Sequence, residues 1–167
     1  MEIQSLDVFV DYLDKVHQRS MQVVRCIPAD KLEWSFAEGK FTLGDLVRHM
    51  AAIERYMFGE TIQGKPSRYQ GCGPELAAGL SDVIAFKGRM QRETVEIISQ
   101  LGEEGLKSKC TTPDGASLTV WKWLRLMVEH EIHHRGQIYI YLAMIGVLTP
   151  PLYGLTAEQV RERSVAG

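Results

Sequence analysis

Along most of the chain apolar residues recur at intervals of three and four, the spacing that gathers them on one face of an α-helix. Leu6, Phe9, Val10, Leu13, Val16, Val23, Val24 and Ile27 predict a first amphipathic helix from Ser5 to about Ile27, stopped by Pro28. Leu43, Leu46, Val47, Met50, Ile53 and Met57 predict a second from about Leu43 to Thr61, with Thr42 and Asp45 forming a variant capping box at its start. A third begins at Ser81 or Asp82, buries Val83, Ile84, Phe86, Met90, Val95, Ile97, Ile98 and Leu101, and ends at Gly102. Its charged residues, Lys87, Arg89, Arg92, Glu93 and Glu96, read as a mostly solvated face. The last helix follows a Ser117 or Thr119 cap and runs to about Ile145, with Val120, Leu124, Met127, Ile138, Tyr141, Leu142 and Ile145 turned to the core. At roughly 30 residues and roughly 40 Å it is the longest of the four.

The connections are polar or rich in Gly and Pro. Residues 28–41 carry Trp34 and Phe36 and read as a segment folded back on the bundle, with Trp34 as packing. Gln63–Gly79 is the longest irregular stretch. Cys72 within it is either a reactive thiol at a pocket mouth or, preferably, an ordinary loop cysteine. The Pro113-Asp114-Gly115 run marks a tight turn, and Thr156 to Gln159 reads as the capping box of a short final helical turn. No convincing alternating strand pattern appears, so the fold class is all-α, a four-helix bundle, and 167 residues suit a single domain spanning 1–167.

Net charge is −2, from 19 basic and 21 acidic residues, which gives no electrostatic reason to expect nucleic acid or an anionic membrane as partner. The start MEIQSLDVFVDY has neither a basic leader nor a cleavage site, and Cys26, Cys72 and Cys110 form no C-x-x-C pair, so a reduced, cytoplasmic setting is expected.

The candidate chemistry lies in VEHEIHHRGQ, from Val128 to Gln137. His130 and His134, four residues apart, stack on one helical face where both imidazoles can converge on a single ion, while His133 points about a quarter-turn away. The alternative is a pair merely satisfied by neighbours. A metal centre that keeps a position open needs about three protein ligands. His49, beside the apolar stripe of the second helix, is the natural third, whereas His17, flanked by Lys15, Gln18 and Arg19, looks solvated. Asp45 could brace His49 from one turn away, although capping its own helix is the preferred role. Gln137 and Tyr141 continue the histidine side, with Tyr141 preferred as a packed aromatic, and Arg135 is expected to pair with Glu131.

LVRHMAAIERY at 46–56 and HEIHHRGQIYIYL at 130–142, followed by Gly146, Pro150, Pro151, Tyr153 and Gly154, resemble the DinB/YfiT-like superfamily over nearly the whole chain. That resemblance implies an up-down-down-up bundle in which His49, His130 and His134 hold a divalent metal, zinc or nickel by preference. Characterised relatives include thiol-dependent transferases and isomerases using bacillithiol, mycothiol or glutathione. The function implied is therefore S-transfer or isomerisation of a small-molecule substrate with a low-molecular-weight thiol as cosubstrate, in a homodimer. Hydrolysis by metal-activated water is the alternative enzyme reading. It calls for a carboxylate base, and Glu54, Glu129 and Glu131 lie nearby in sequence without a compelling helical phase. A non-enzymatic, metal-stabilised binding module is the third reading.

Overall fold

The structure, a computed structural model, describes residues 2–164. Met1 and residues 165–167, which the sequence reading assigns to the same domain, lie outside the described residues. Helix α1 spans Leu6–Val24 with Ser5 as its cap. Helix α2 runs as α-helix over Leu43–Ile53, passes through a π-helical turn at Glu54–Phe58, and ends with an α turn at Gly59–Thr61. Helix α3 is Leu80–Ser99, short α4 is Gly102–Lys107, α5 is Val120–Met144 and α6 is Ala157–Ser164. Among the described residues no helix is long and apolar enough to cross a membrane.

Several starts differ from expectation for local reasons. Helix α3 begins after Gly79, whose φ of +83° suits glycine, so Ser81 and Asp82 fall inside the first turn. Before α5 the chain forms a small antiparallel hairpin, β1 (Lys109–Thr111) against β2 (Ser117–Thr119), closed by the predicted turn. Thr119 occupies the cap position of α5, but its hydroxyl makes no capping bond. The two capping boxes are formed: Thr42 with Asp45, and Thr156 with Gln159.

Side-chain pairings fix the helix directions. Moving along α2, Arg48 meets Ala77, Glu54 meets Lys87, and Arg55 meets Glu93, so α2 and α3 run parallel. Likewise Phe9 and Tyr12 face Arg125 and Val128, and Val16 faces Arg135, so α1 and α5 run parallel. His49 lies opposite His130 and His134 while Phe58 packs on Trp123 at 4.6 Å, so α2 and α5 are antiparallel. This is the up-down-down-up bundle, and the long connection at residues 62–79 is what allows two consecutive helices to run the same way.

The core has two apolar clusters with a polar layer between them. One cluster gathers Met21, Val24, Leu46, Met50, Phe86, Ile138 and Leu142; the other gathers Phe9, Leu13, Phe58, Ile98, Trp123 and Leu124. Between them Lys87, fully buried, reaches Glu54 at 2.7 Å and Glu131 at 2.8 Å. Burial pushes the Glu54 pKa up, with the neighbouring Glu131 charge adding to the rise. For Glu131 burial is outweighed by Lys87, which holds its pKa below the ordinary value. His17 completes the layer, buried, its Nδ1 without a partner among the described residues and its pKa pushed down to about 4 by burial and by the Lys87 charge.

These positions correct four readings. Lys87 is not on a solvated face, because three helices close around it. His17 is not solvated either, since the polar layer contains it. Arg135 does not pair with Glu131, whose carboxylate turns to Lys87; Arg135 instead donates to the Tyr153 hydroxyl at 3.2 Å. The π turn adds one residue to a helical turn, so Phe58 takes the buried place that a regular period gives to Met57, which is only half-buried.

Replacing Lys87 by Met leaves two carboxyl groups buried without their cation and should lower unfolding free energy by about 3–5 kcal/mol. Arg92→Met, at an exposed position of the same helix, should change it by less than about 0.5 kcal/mol. Urea denaturation at a common slope measures both, and equal midpoints would contradict the buried layer.

Candidate metal centre

His49 comes from α2 and His130 and His134 from α5, where the antiparallel packing sets the i, i+4 pair opposite the single histidine. Their candidate ligand atoms all lie within 4.8 Å of one another. His130 Nε2 is 3.1 Å from His49 Nε2 and 3.0 Å from His134 Nε2. The outer nitrogens are engaged: His134 Nδ1 donates to Gln137 Oε1 at 2.6 Å, and His49 Nδ1 lies 2.8 Å from the Tyr69 hydroxyl. The first of these bonds makes His134 the tautomer whose Nε2 lone pair faces inward. A neutral imidazole carries one N–H, so a central Nε2 can donate to only one of its two neighbours; a cation at the centre would satisfy all three lone pairs. The residues therefore fit a metal ion.

Electrostatics agrees with that donor set. Burial, reinforced by the other histidines, pushes the His49 pKa down to about 4 and that of His130 to about 3. Burial also lowers His134, partly offset by its bond to Gln137. All three are neutral near pH 7, the form that binds metal. Free imidazole titrates near about 6.5, so proton competition in the folded protein sets in at more acidic pH than the unburied side chains would give.

The loop at residues 62–79 covers His49 because two arginines tie it to α2. Arg48, fully buried, donates from Nε to the Ala77 carbonyl at 3.1 Å and from Nη1 to the Cys72 carbonyl at 3.3 Å, while Asp45 and Glu33 neutralise it. Arg68 pairs with Glu60 and its backbone N–H donates to the Tyr56 carbonyl at 2.8 Å. Between these ties Tyr69 is held against His49, its pKa raised by burial and by adjacent Cys72. Phe41 and Phe58 pack beside the cluster, 5.3 Å from the His49 ring and 5.9 Å from the His130 ring.

Of the remaining candidates, Gln137 lines the site and His133 is exposed outside it, with its ring 4.9 Å from that of His134. Asp45 caps α2 and pairs with Arg48 at 2.8 Å. Tyr141 packs edge-on against Trp34 and Phe36, at 5.7 and 5.4 Å, so Trp34 is indeed packing. Burial raises the Cys72 thiol pKa, which keeps it from acting as a ready thiolate. Glu54 and Glu131 are committed to Lys87, and Glu129 is exposed beside Arg125 at 3.3 Å. Tyr69 escaped the sequence reading because it lies in a loop with no helical phase to aim it; only its place in the long connection beside the site could have suggested it.

Comparison with known proteins gives the same architecture. The model of the DinB family matches residues 2–164. The uncharacterized protein YjoA of Bacillus subtilis is 29% identical over 130 residues, covering 76% of this chain and 82% of its own length. The crystal structure of that DinB-like protein superposes with a TM-score of 0.70 at 25% identity, over 86% of this chain and 96% of its own. YfiT of Bacillus subtilis, described as a probable metal-dependent hydrolase with an unusual four-helix bundle topology, superposes with a TM-score of 0.70 at 18% identity, covering 89% and 91% of the two chains.

The depressed histidines make stability pH-dependent in a fixed direction. Between an unfolded pKa of about 6.5 and folded values of about 4 for His49 and about 3 for His130, the unfolded chain binds more protons. Stability of the metal-free protein is therefore full above that unfolded value and falls as pH drops toward 4. Thermal midpoints measured in chelator from pH 7 to pH 4 should decline, and His130→Leu should flatten the decline. An identical slope in the variant would contradict the assignment.

Proposed function

The chain belongs to the DinB family, and on that premise we propose that His49, His130 and His134 hold a divalent metal, zinc or nickel, with which the protein transfers or isomerises at the sulfur of a low-molecular-weight thiol. A divalent ion held by three neutral imidazoles keeps its full charge and supplies a Lewis acid that lowers the pKa of a thiol, or of water, at an open position. The observation that carries the thiol reading is the absence, among the described residues, of an uncommitted carboxylate beside the three nitrogens. Glu54 and Glu131 are bound to Lys87, Glu129 faces away with Arg125, and Asp45 is bound to Arg48 and its own helix end. Water attack benefits from a positioned base, whereas an ionised thiol is already a nucleophile. The chain then contributes positioning: Gln137 and Tyr69 orient the imidazoles, Phe41 and Phe58 keep the cluster desolvated, and the thiol proton leaves to solvent.

Hydrolysis is the second reading, favoured by the description of YfiT, a neighbour in fold, as a probable metal-dependent hydrolase. The two readings differ in what must be added.

Untagged protein should bind one divalent ion per chain, His49→Ala should lose it, and exposed His133→Ala should keep it. Tyr69→Phe should weaken metal binding roughly 10-fold to 100-fold by freeing the His49 ring, measured by competition with a chelator. Metal-loaded protein should accelerate conjugation of bacillithiol, mycothiol or glutathione to an electrophile, and lose that activity when stripped. Turnover of an ester or amide with water alone, with no metal-dependent thiol reaction, promotes the hydrolase; silence in both assays favours a binding module.

A further inference from the structure

On the far side of α5 from the histidine cluster a groove of about 590 Å³ runs between that helix and the C-terminal segment. Its walls are mainly apolar, with Ile132 and Ile140 from α5 facing Leu152 and Leu155 from the segment. Among the described residues one cation, Arg135, lines it. Arg135 is 4% exposed and, among the described residues, no carboxylate lies within ion-pair distance of it. Its contacts are the Tyr153 hydroxyl at 3.2 Å and the Val16 carbonyl at 3.5 Å, both neutral. The contrast within the same fold is sharp: Arg48 and Lys87, both fully buried, each hold two carboxylates. Glu131, one turn before Arg135, is committed to Lys87. A buried guanidinium without an anion is costly, so its partner is expected from outside the described residues. Arg19, 5.5 Å from the Tyr153 ring centroid, adds positive charge at that end.

Gly136 gives an independent indication. It sits in the middle of a 25-residue helix, where glycine is unfavourable, yet a Cβ there would meet nothing within 4 Å. Packing among the described residues does not require it. The missing side chain leaves open a part of the groove that Gly136 itself lines, next to Arg135.

We propose that this groove binds a small amphiphilic monoanion, a carboxylate on an apolar body, with the carboxylate on Arg135 and the body along Ile132, Ile140, Leu152 and Leu155. A guanidinium matches a carboxylate in two parallel hydrogen bonds, and the single cation among mainly apolar walls suits one charge rather than several. The site is separate from the histidine cluster and does not rest on the thiol reading.

Octanoate and 1-octanol, titrated calorimetrically into the metal-loaded full chain, share an apolar body and differ in the anion. Octanoate should bind and octanol should bind at least about tenfold more weakly. Arg135→Met should reduce octanoate to the octanol level, and Gly136→Leu should remove both by filling the floor. Arg135→Met should also be at least as stable as the parent without ligand, because it removes an unpaired buried charge, leaves Tyr153 exposed to water, and leaves Val16 its bond from Ser20. Failure of octanoate to bind, equal affinity for both probes, or unchanged octanoate affinity in Arg135→Met each overturns the proposal. So does a lower thermal midpoint of that variant, which would give Arg135 an internal structural role. Sedimentation showing a dimer that Gly136→Leu dissociates and octanoate does not would assign the groove to a second copy of the chain and likewise overturn it.

Discussion

Lys87 sits where three helices meet, and its bonds to Glu54 and Glu131 fix how far α2 and α5 can slide past each other. Glu131 follows His130 directly, and Glu54 stands five residues beyond His49, so the ion triad and the imidazole cluster share one register. A displacement of α5 by one turn, about 5.4 Å, would break the Lys87–Glu131 bond and carry His130 and His134 away from His49 together. The π turn belongs to the same constraint: it begins at Glu54, keeping that carboxylate inward while returning Phe58 to the core against Trp123. Apolar packing alone is permissive about such shifts, since buried leucines and methionines tolerate repacking. A buried charge is not, because leaving its partner unmet costs several kcal/mol.

The polar layer and the candidate centre divide the electrostatic work. The layer keeps charge in the interior by pairing it. The imidazoles do the opposite, with burial removing their charge so that neutral nitrogen faces the centre of the cluster. Covering the site takes a loop, and Arg48 makes an irregular 18-residue connection behave as a fixed wall by holding Ala77 and Cys72 from below while Asp45 and Glu33 balance its charge. Gly44 is part of that arrangement, for a Cβ there would come within 2.6 Å of the Arg48 guanidinium.

Much of the fold is legible in the periodicity of the chain. The four long helices, the capping boxes at Thr42 and Thr156, and the i, i+4 pairing of His130 with His134 follow from spacing and local chemistry, while His49 as their partner rests on its place beside an apolar stripe and on the family resemblance. What is not legible there depends on tertiary surroundings. Lys87 stands among Arg89, Arg92 and Glu93 and is indistinguishable from them until three helices enclose it. His17 is flanked by Lys15, Gln18 and Arg19, yet its own phase, one residue after Val16, faces the layer. The π turn leaves no propensity signature, so a strict helical period chose Met57 over Phe58. Tyr69 and Arg135 escaped because a loop residue has no phase and because an i, i+4 charge pair is only one option for a side chain that can reach another element.

On the function proposed above, three imidazoles hold one divalent ion and leave it a position that a thiol can take. X-ray absorption at the metal edge of the loaded protein reads both the ligand set and the open position. Three nitrogen donors at about 2.0–2.1 Å with a light atom completing the shell are expected, and one sulfur at about 2.3 Å once the thiol is added. A shell closed by four protein donors, or one unchanged by saturating thiol, would contradict that function.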